Sequence, residues 1–218
     1  MTAFPGSPRL VKGGIVLIDA VSAAIQRMIV LQYNPDSLSR TLQVQAMPDA
    51  ADRSQAMRIR GPAVETLKLE VTIDATDQLE FPDQNRNAVD FGILPQLAAL
   101  ETMVYPASST LISNNALADA GTLEIAPMEA PLALFIWSKS RILPVRITEL
   151  SVTEEAFDPA LNPIRAKVSL GLRVLSVDDL GFAHKGGNLF MGYLQAKEQL
   201  AAKVSGAAMS SLGIGSLP

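Results

Sequence analysis

The stretch Thr66-Leu67-Lys68-Leu69-Glu70-Val71-Thr72-Ile73-Asp74 alternates polar and apolar residues without a break. Successive side chains of a strand point to opposite faces, so this period of two sets Leu67, Leu69, Val71 and Ile73 on one face and the charges on the other. A strand with one wet face belongs to an antiparallel sheet, because a parallel strand is covered on both sides and reads as a continuous apolar run. The rest of the chain must therefore supply antiparallel partners. Pro131 to Leu175 does so, with three strand-like runs: Leu132 to Trp137, Leu143 to Thr153 and Lys167 to Leu175. In the last, Val168, Leu170, Leu172 and Val174 alternate with Lys167, Ser169, Gly171 and Arg173. Ser138-Lys139-Ser140 and Asp158-Pro159-Ala160-Leu161-Asn162-Pro163 supply the turns between them.

The N-terminal part adds shorter strands. Ile15 to Ile18 follows Gly13-Gly14, and Met28 to Tyr33 is a second apolar run. Asn34-Pro35-Asp36-Ser37 is a turn signal, since Pro presets φ while Asn and Asp bond the local backbone. Leu38 to Gln45 then alternates, so the runs on either side of Asn34-Pro35 predict a hairpin. Met47 to Arg60 and Thr76 to Asn87 read as loops. Val89 to Val104 has helical spacing, with Leu94, Leu97, Ala98, Glu101 and Val104 near one face. That helix is expected to begin at Leu94, with Pro95 tolerated in its first turn, and to end before Tyr105-Pro106.

Ala107 to Pro131 is rich in Ser, Asn, Ala and Gly and reads as an insertion, with a short strand at Thr122 to Ile125. After Leu180, Asn188 is a candidate cap for a helix running through Val204, with Leu189, Tyr193, Leu200 and Val204 partly on one side. SGAAMSSLGIGSLP then closes the chain with small, uncharged residues. The expected organisation is a mainly β domain over 1–180, with its insertion at about 107–131, followed by a helix and small-residue tail over 181–218.

Composition narrows the function. Only 18% of the residues are charged and 48% are apolar, against about 25% charged in an ordinary soluble domain. Part of the apolar surface is therefore expected to meet partners. The net charge of −4 offers no basic footprint for nucleic acid. The absence of cysteine removes disulfides, thiol catalysis and Cys-ligated zinc, and fits a reducing compartment. The opening MTAFPGSPRLVKGG has no apolar run of the kind a secretory signal needs, and no apolar run approaches the ~20 residues of a membrane span. The chain is read as soluble, assembled in the cytoplasm and not inserted in a membrane.

Catalytic chemistry is thin. The one histidine, His184, lies in the Gly-rich segment Gly181 to Gly187 and reads as a solvated loop residue rather than a general base. Asp77/Glu80, Glu154/Glu155 and Asp178/Asp179 sit near turns, where solvated charge is the default. The sequence holds no phosphate loop, no Gly-x-Gly-x-x-Gly after a strand and no Gly-x-Ser-x-Gly elbow. Arg53, Arg58 and Arg60 cluster in a polar loop, as solvated surface or as contact with an acidic partner. Trp137 reads first as core packing and second as an interface anchor. No catalytic, cofactor-binding or metal-ligating residue is nominated, and the expectation is a protein that is not an enzyme. A small-ligand β-barrel or an enzyme using His184 is the reading from another class.

The order of features resembles the tube-like adaptor proteins of contractile injection systems, phage-tail-like particles whose members include LysM-associated tube and baseplate proteins. An apolar strand runs into Tyr33-Asn34-Pro35, similar to the family's aromatic-Asn-Pro turn. Gly61-Pro62 precedes the alternating Leu67 strand, and a helix follows around Leu94 to Val104. A strand ending in Trp137 leads to Phe157, a Pro turn and Pro163-Ile164-Arg165-Ala166, the most specific part of the match, which covers about residues 10 to 177. Ser138 stands where the family often has Gly. No LysM domain follows Leu180, so glycan binding is not implied. The resemblance implies a tube-protein-like β-barrel or two packed antiparallel sheets with one flanking helix. It implies a hexameric ring between the trimeric spike-hub and the inner tube, with tube, spike and baseplate proteins as partners and no cofactor. A polymerising inner-tube protein is the close alternative.

Overall fold

A computed structural model describes residues 11–19, 22–46, 58–121 and 130–204. Its body is one seven-stranded antiparallel sheet of order β2-β1-β5-β6-β7-β4-β3. The strands are β1 (Gly14–Ile18), β2 (Ile25–Val30), β3 (Leu38–Gln43), β4 (Val64–Asp74), β5 (Leu132–Ser138), β6 (Arg141–Phe157) and β7 (Pro163–Val174). The helices are α1 (Thr76–Leu79), α2 (Arg86–Phe91), α3 (Leu94–Glu101), α4 (Ser108–Asp119), α5 (Val177–Leu180) and α6 (Lys185–Ala201).

The alternation read in β4 meets its counterpart in β7. Leu67, Leu69, Val71 and Ile73 pair with Leu172, Leu170, Val168 and Ala166 of β7, and all of them are buried in one core. That core continues through Val145 and Leu143 of β6 to Phe135 and Ala133 of β5 and Ile15 and Leu17 of β1. The other faces of β1 and β5 are also covered: Val16, Ile18, Leu132 and Leu134 form a second cluster with Leu180 and Leu189. Burial on both faces explains why β1 reads as an unbroken apolar run.

The sheet is curled. Leu31 donates its N–H to Gly13 O at 2.9 Å, beside the start of β1. The next residue, Gln32, bonds both backbone groups of Asp74 at the end of β4, at 2.7 and 2.9 Å. In a flat sheet β1 and β4 would be ~19 Å apart, with β5, β6 and β7 between them. Two adjacent residues reach both only if the sheet wraps round toward itself, as the barrel expectation requires. Helix α3 lies on this wrapped side, burying Leu97 and Leu100 with Ile93.

Several expectations are corrected. No hairpin forms across Asn34-Pro35: β2 pairs with β1, β3 pairs with β4, and the two strands lie at opposite edges of the sheet. Asn34 instead accepts from Gly13 N and donates to Val11 O, tying the connection down rather than reversing it. Asp77 and Arg86 to Asn87 lie in helices α1 and α2 rather than in loop. The buried face of α3 is Ile93, Leu97 and Leu100, whereas Leu94 and Val104 are exposed. The insertion contains α4, none of whose residues is buried. Helix α6 starts at Lys185 with His184 as its N-cap, so Asn188 lies inside it. The strand expected at Thr122 to Ile125, Arg53 and the closing tail fall outside the described residues.

Gly92 holds α2 and α3 against the β6–β7 turn. Its φ is +56°, and a Cβ there would lie 2.1 Å from Pro163 O. Both a disfavoured backbone region and a backbone clash follow, so Gly92→Ala will lower the unfolding free energy by about 2–3 kcal/mol in urea titration. A loss below about 0.5 kcal/mol would show that this contact relaxes freely.

Candidate assembly surface

The two outer strands leave one side of their backbones unpaired among the described residues. Soluble monomers blunt such edges with Lys, Pro, bulges or a covering element. Here β2 reads IQRMIV and β3 reads LSRTLQ, with neither Lys nor Pro. Ile25, Met28 and Val30 of β2 are 62, 58 and 55% exposed. Arg27 turns away from the edge and donates to Ala99 O and the Thr102 hydroxyl of the α3 region. Between β2 and α3 lies a cavity of about 390 Å³ lined by uncharged residues, Met28, Val30, Ile73 and Ala99 among them. Gln96 borders it, and its buried Oε1 has no hydrogen-bond partner among the described residues.

The ends of the strands differ in chemistry. At the Asp74 end, Asn162 of the β6–β7 turn donates to Asp90 O, and Ile93 donates to Pro163 O. This brings the exposed Phe157 and Leu161 of the turn beside α2, which exposes Val89 and Phe91; Phe81 is exposed in the α1–α2 connection. Asp77, Glu80, Asp83 and Asp90 fringe this end, and none has an ion pair among the described residues. At the far end of β4, ~33 Å away along an 11-residue strand, lie the exposed Leu42, Val44 and Ile59 with Arg58 and Arg60. The bridge between Ala46 and Ile59 and the Arg60 N–H to Gln45 O bond hold that group together. One end is mainly acidic and aromatic, with Arg86 among its carboxylates; the other is aliphatic and sets Arg58 and Arg60 near Asp178.

The residues singled out by the sequence are mostly fasteners. Asn34 anchors the segment before β1, with Pro35 half-buried and Tyr33 exposed beside it. Trp137 stacks on Phe135 with ring centroids 5.8 Å apart and leaves no room for a side chain at Gly13. Pro62 O accepts from Gln45 Nε2, and Gly61 sits against the Asp178 carboxylate. Pro163 and Ala166 are buried in β7, while Phe157 is half exposed at the turn. Arg165 pairs with Asp74 at 2.7 Å. His184 is not a free loop residue: its Nδ1 accepts from Gly186 N at 3.1 Å. Among the described residues no group of three or more His, Cys, Asp or Glu could hold a metal ion, and no helix is long and apolar enough to cross a membrane.

Two carboxylates are perturbed at the acidic end. Partial burial opposes ionisation of Asp74, but bonds from the Thr76 hydroxyl and N–H and from Arg165 outweigh it and hold its pKa below the ordinary value. Asp158 is held low by the Asn162 side chain, the Asn162 N–H and the Ala160 N–H, which fixes the turn and the left-handed Leu161. A depressed folded-state pKa stabilises above the unfolded value near 3.9 and is lost as pH falls through the folded one. Acid unfolding below about pH 4 will therefore be shallower for Asp74→Asn than for the unmodified chain, measured as stability against pH. Equal acid slopes would remove Asp74 from the pH response.

The sequence reading missed Gln32 and the group around Glu65. Glu65 shares the parity of Leu67, Leu69 and Val71, so a charge at an inward position was visible in the alternation. Its partners were not: the Tyr193 hydroxyl and Lys197 Nζ of α6 reach it from far along the chain, each at 2.8 Å.

A protein-family model described as contractile injection system tube protein matches residues 18–179, from the end of β1 into α5. No curated protein matches the chain.

Proposed function

The chain belongs to the contractile injection system tube protein family, and from that premise we propose that six copies close into a ring serving as an adaptor between spike-hub and inner tube at the baseplate. Membership points to a structural rather than a catalytic role. The observation that carries the ring is the pair of outer strands, β2 and β3, whose edges are unpaired among the described residues on opposite sides of one curled sheet. An interface joining two unlike patches is heterologous and closes into a ring when its rotation permits. β2 of one copy and β3 of the next supply such patches, each completing the other's backbone hydrogen bonds.

The strand ends then face along the ring axis. An adaptor needs two unlike docking faces for two unlike neighbours, and the mainly acidic, aromatic end and the aliphatic end with its arginines supply them. The same complementarity also suits a stack of identical layers, so a polymerising tube protein is the second reading. In either position the ring acts by shape and symmetry, assembling with tube, spike and baseplate proteins rather than turning over a substrate.

The chain has no cysteine, so introduced ones report contacts cleanly. Single cysteines placed in β2 and in β3 of separately tagged copies are expected to form mixed disulfides between copies. β2–β2 and β3–β3 products alone would sink the head-to-tail ring. Electron microscopy of the particle is expected to show one six-fold layer of this chain at the baseplate end. Many stacked layers would replace the adaptor by the tube reading.

A further inference from the structure

We propose that α6 braces the edge strand β3 through the buried carboxylate of Glu65, so that the C-terminal helix sets the geometry of an assembly edge it does not itself form. Glu65 is 3% exposed and is the only charged residue buried among the described residues. It lies on the inward face of β4, directly opposite Leu42 of β3. Tyr193 Oη and Lys197 Nζ of α6 donate to its two oxygens, and Lys197 also lies 4.1 Å from the Tyr193 ring centroid. From the other side, Arg40 of β3 approaches the oxygen that Tyr193 holds, at 3.8 Å. One carboxylate thus joins three elements.

The inward residues of β3 are Leu38, Arg40 and Leu42. Leu38 packs on the core at one end, while Leu42 is half exposed at the other. Between them Arg40 is the tie to the interior. A burial site this dry would hold a Leu at lower desolvation cost, so a carboxylate there fits a role in positioning. Because the groups of such a latch rehydrate when it opens, it also releases more readily than an apolar seam. Without α6, Glu65 would lose both of its donors, and the geometry in which it meets Arg40 would no longer be fixed.

Hydrogen exchange of the intact chain tests this. The double variant Tyr193→Phe/Lys197→Met changes no residue of β3. It is expected to raise exchange in β3 about fivefold or more beyond whatever rise the general loss of stability brings to β2. Faster exchange in α6 with β3 unchanged would overturn the brace. Arg40→Met, a substitution at a partly exposed site, is the second test: it is expected to loosen β3 and leave α6 as it was. An unchanged β3 there overturns the proposal equally, even if the double variant does not fold. The consequence for assembly rests on the ring reading, and is a lower yield of β2–β3 disulfides in the double variant. If the unmodified background forms no such disulfide, the ring reading fails while the brace is still judged by exchange.

Discussion

Replacing Phe135 by alanine will cost about 3–5 kcal/mol of stability, among the largest effects of any single substitution in this chain. Phe135 is fully buried at the middle of β5, between Ile15 of β1 and Leu143 of β6, which are equally inaccessible. Its ring also stacks on Trp137. Truncation removes the transfer free energy of the ring and leaves a cavity, because three ladder-bonded strands cannot collapse into the space. At roughly 2–4 °C per kcal/mol for a chain of this size, the midpoint of thermal unfolding falls by roughly 6–20 °C. Phe157→Ala is the control. The same side chain is removed from the half-exposed β6–β7 turn, and the change should stay within about 0.5 kcal/mol. Similar losses at both positions would mean that the core does not run through β5.

Lys197→Met will be nearly as costly, about 3 kcal/mol, for a different reason. Lys197 is 32% exposed in its side chain and Arg40 39%, but Glu65 only 3%. The cations can turn to water; the carboxylate cannot. Removing Lys197 leaves Glu65 with the Tyr193 hydroxyl and a guanidinium at 3.8 Å, an incompletely compensated buried charge. Adding Glu65→Leu to Lys197→Met should restore most of the loss, since an apolar residue at that inward position needs no partner. Urea unfolding of the two single variants and the double variant gives the coupling directly. Additive losses would show that the three groups do not act as a unit.

Those two sites were unequally legible. The inward position of Phe135 follows from the apolar run Leu132 to Trp137, and its pairing with a later strand was expected. Glu65 broke the alternation visibly, yet nothing in the spacing of Tyr193 and Lys197 tells which strand their helix crosses. The helix around Leu94 was expected with its Pro95 start, but its inward face was misjudged. Leu94 and Ala98 satisfy the same periodicity as Ile93 and Leu97, and only the position of the sheet beneath chooses between them.

The hairpin expected across Asn34-Pro35 shows the boundary most clearly. Alternation is a local property: side-chain direction reverses at each residue, so a strand and its buried face are written in a few consecutive positions. In that way the sequence by itself determined the strands of the sheet, the inward faces of β4 and β7, and the antiparallel β5–β6–β7 block. Which strands become neighbours depends on surfaces far apart in the chain. β2 and β3 flank a good turn, but β1 and β4 match them better, and Gln32 and Asn34 find partners at Asp74 and Gly13 instead of with each other. The curl of the sheet, its two open edges and the unlike ends of its strands follow from those long-range pairings, so only the tertiary structure decided them.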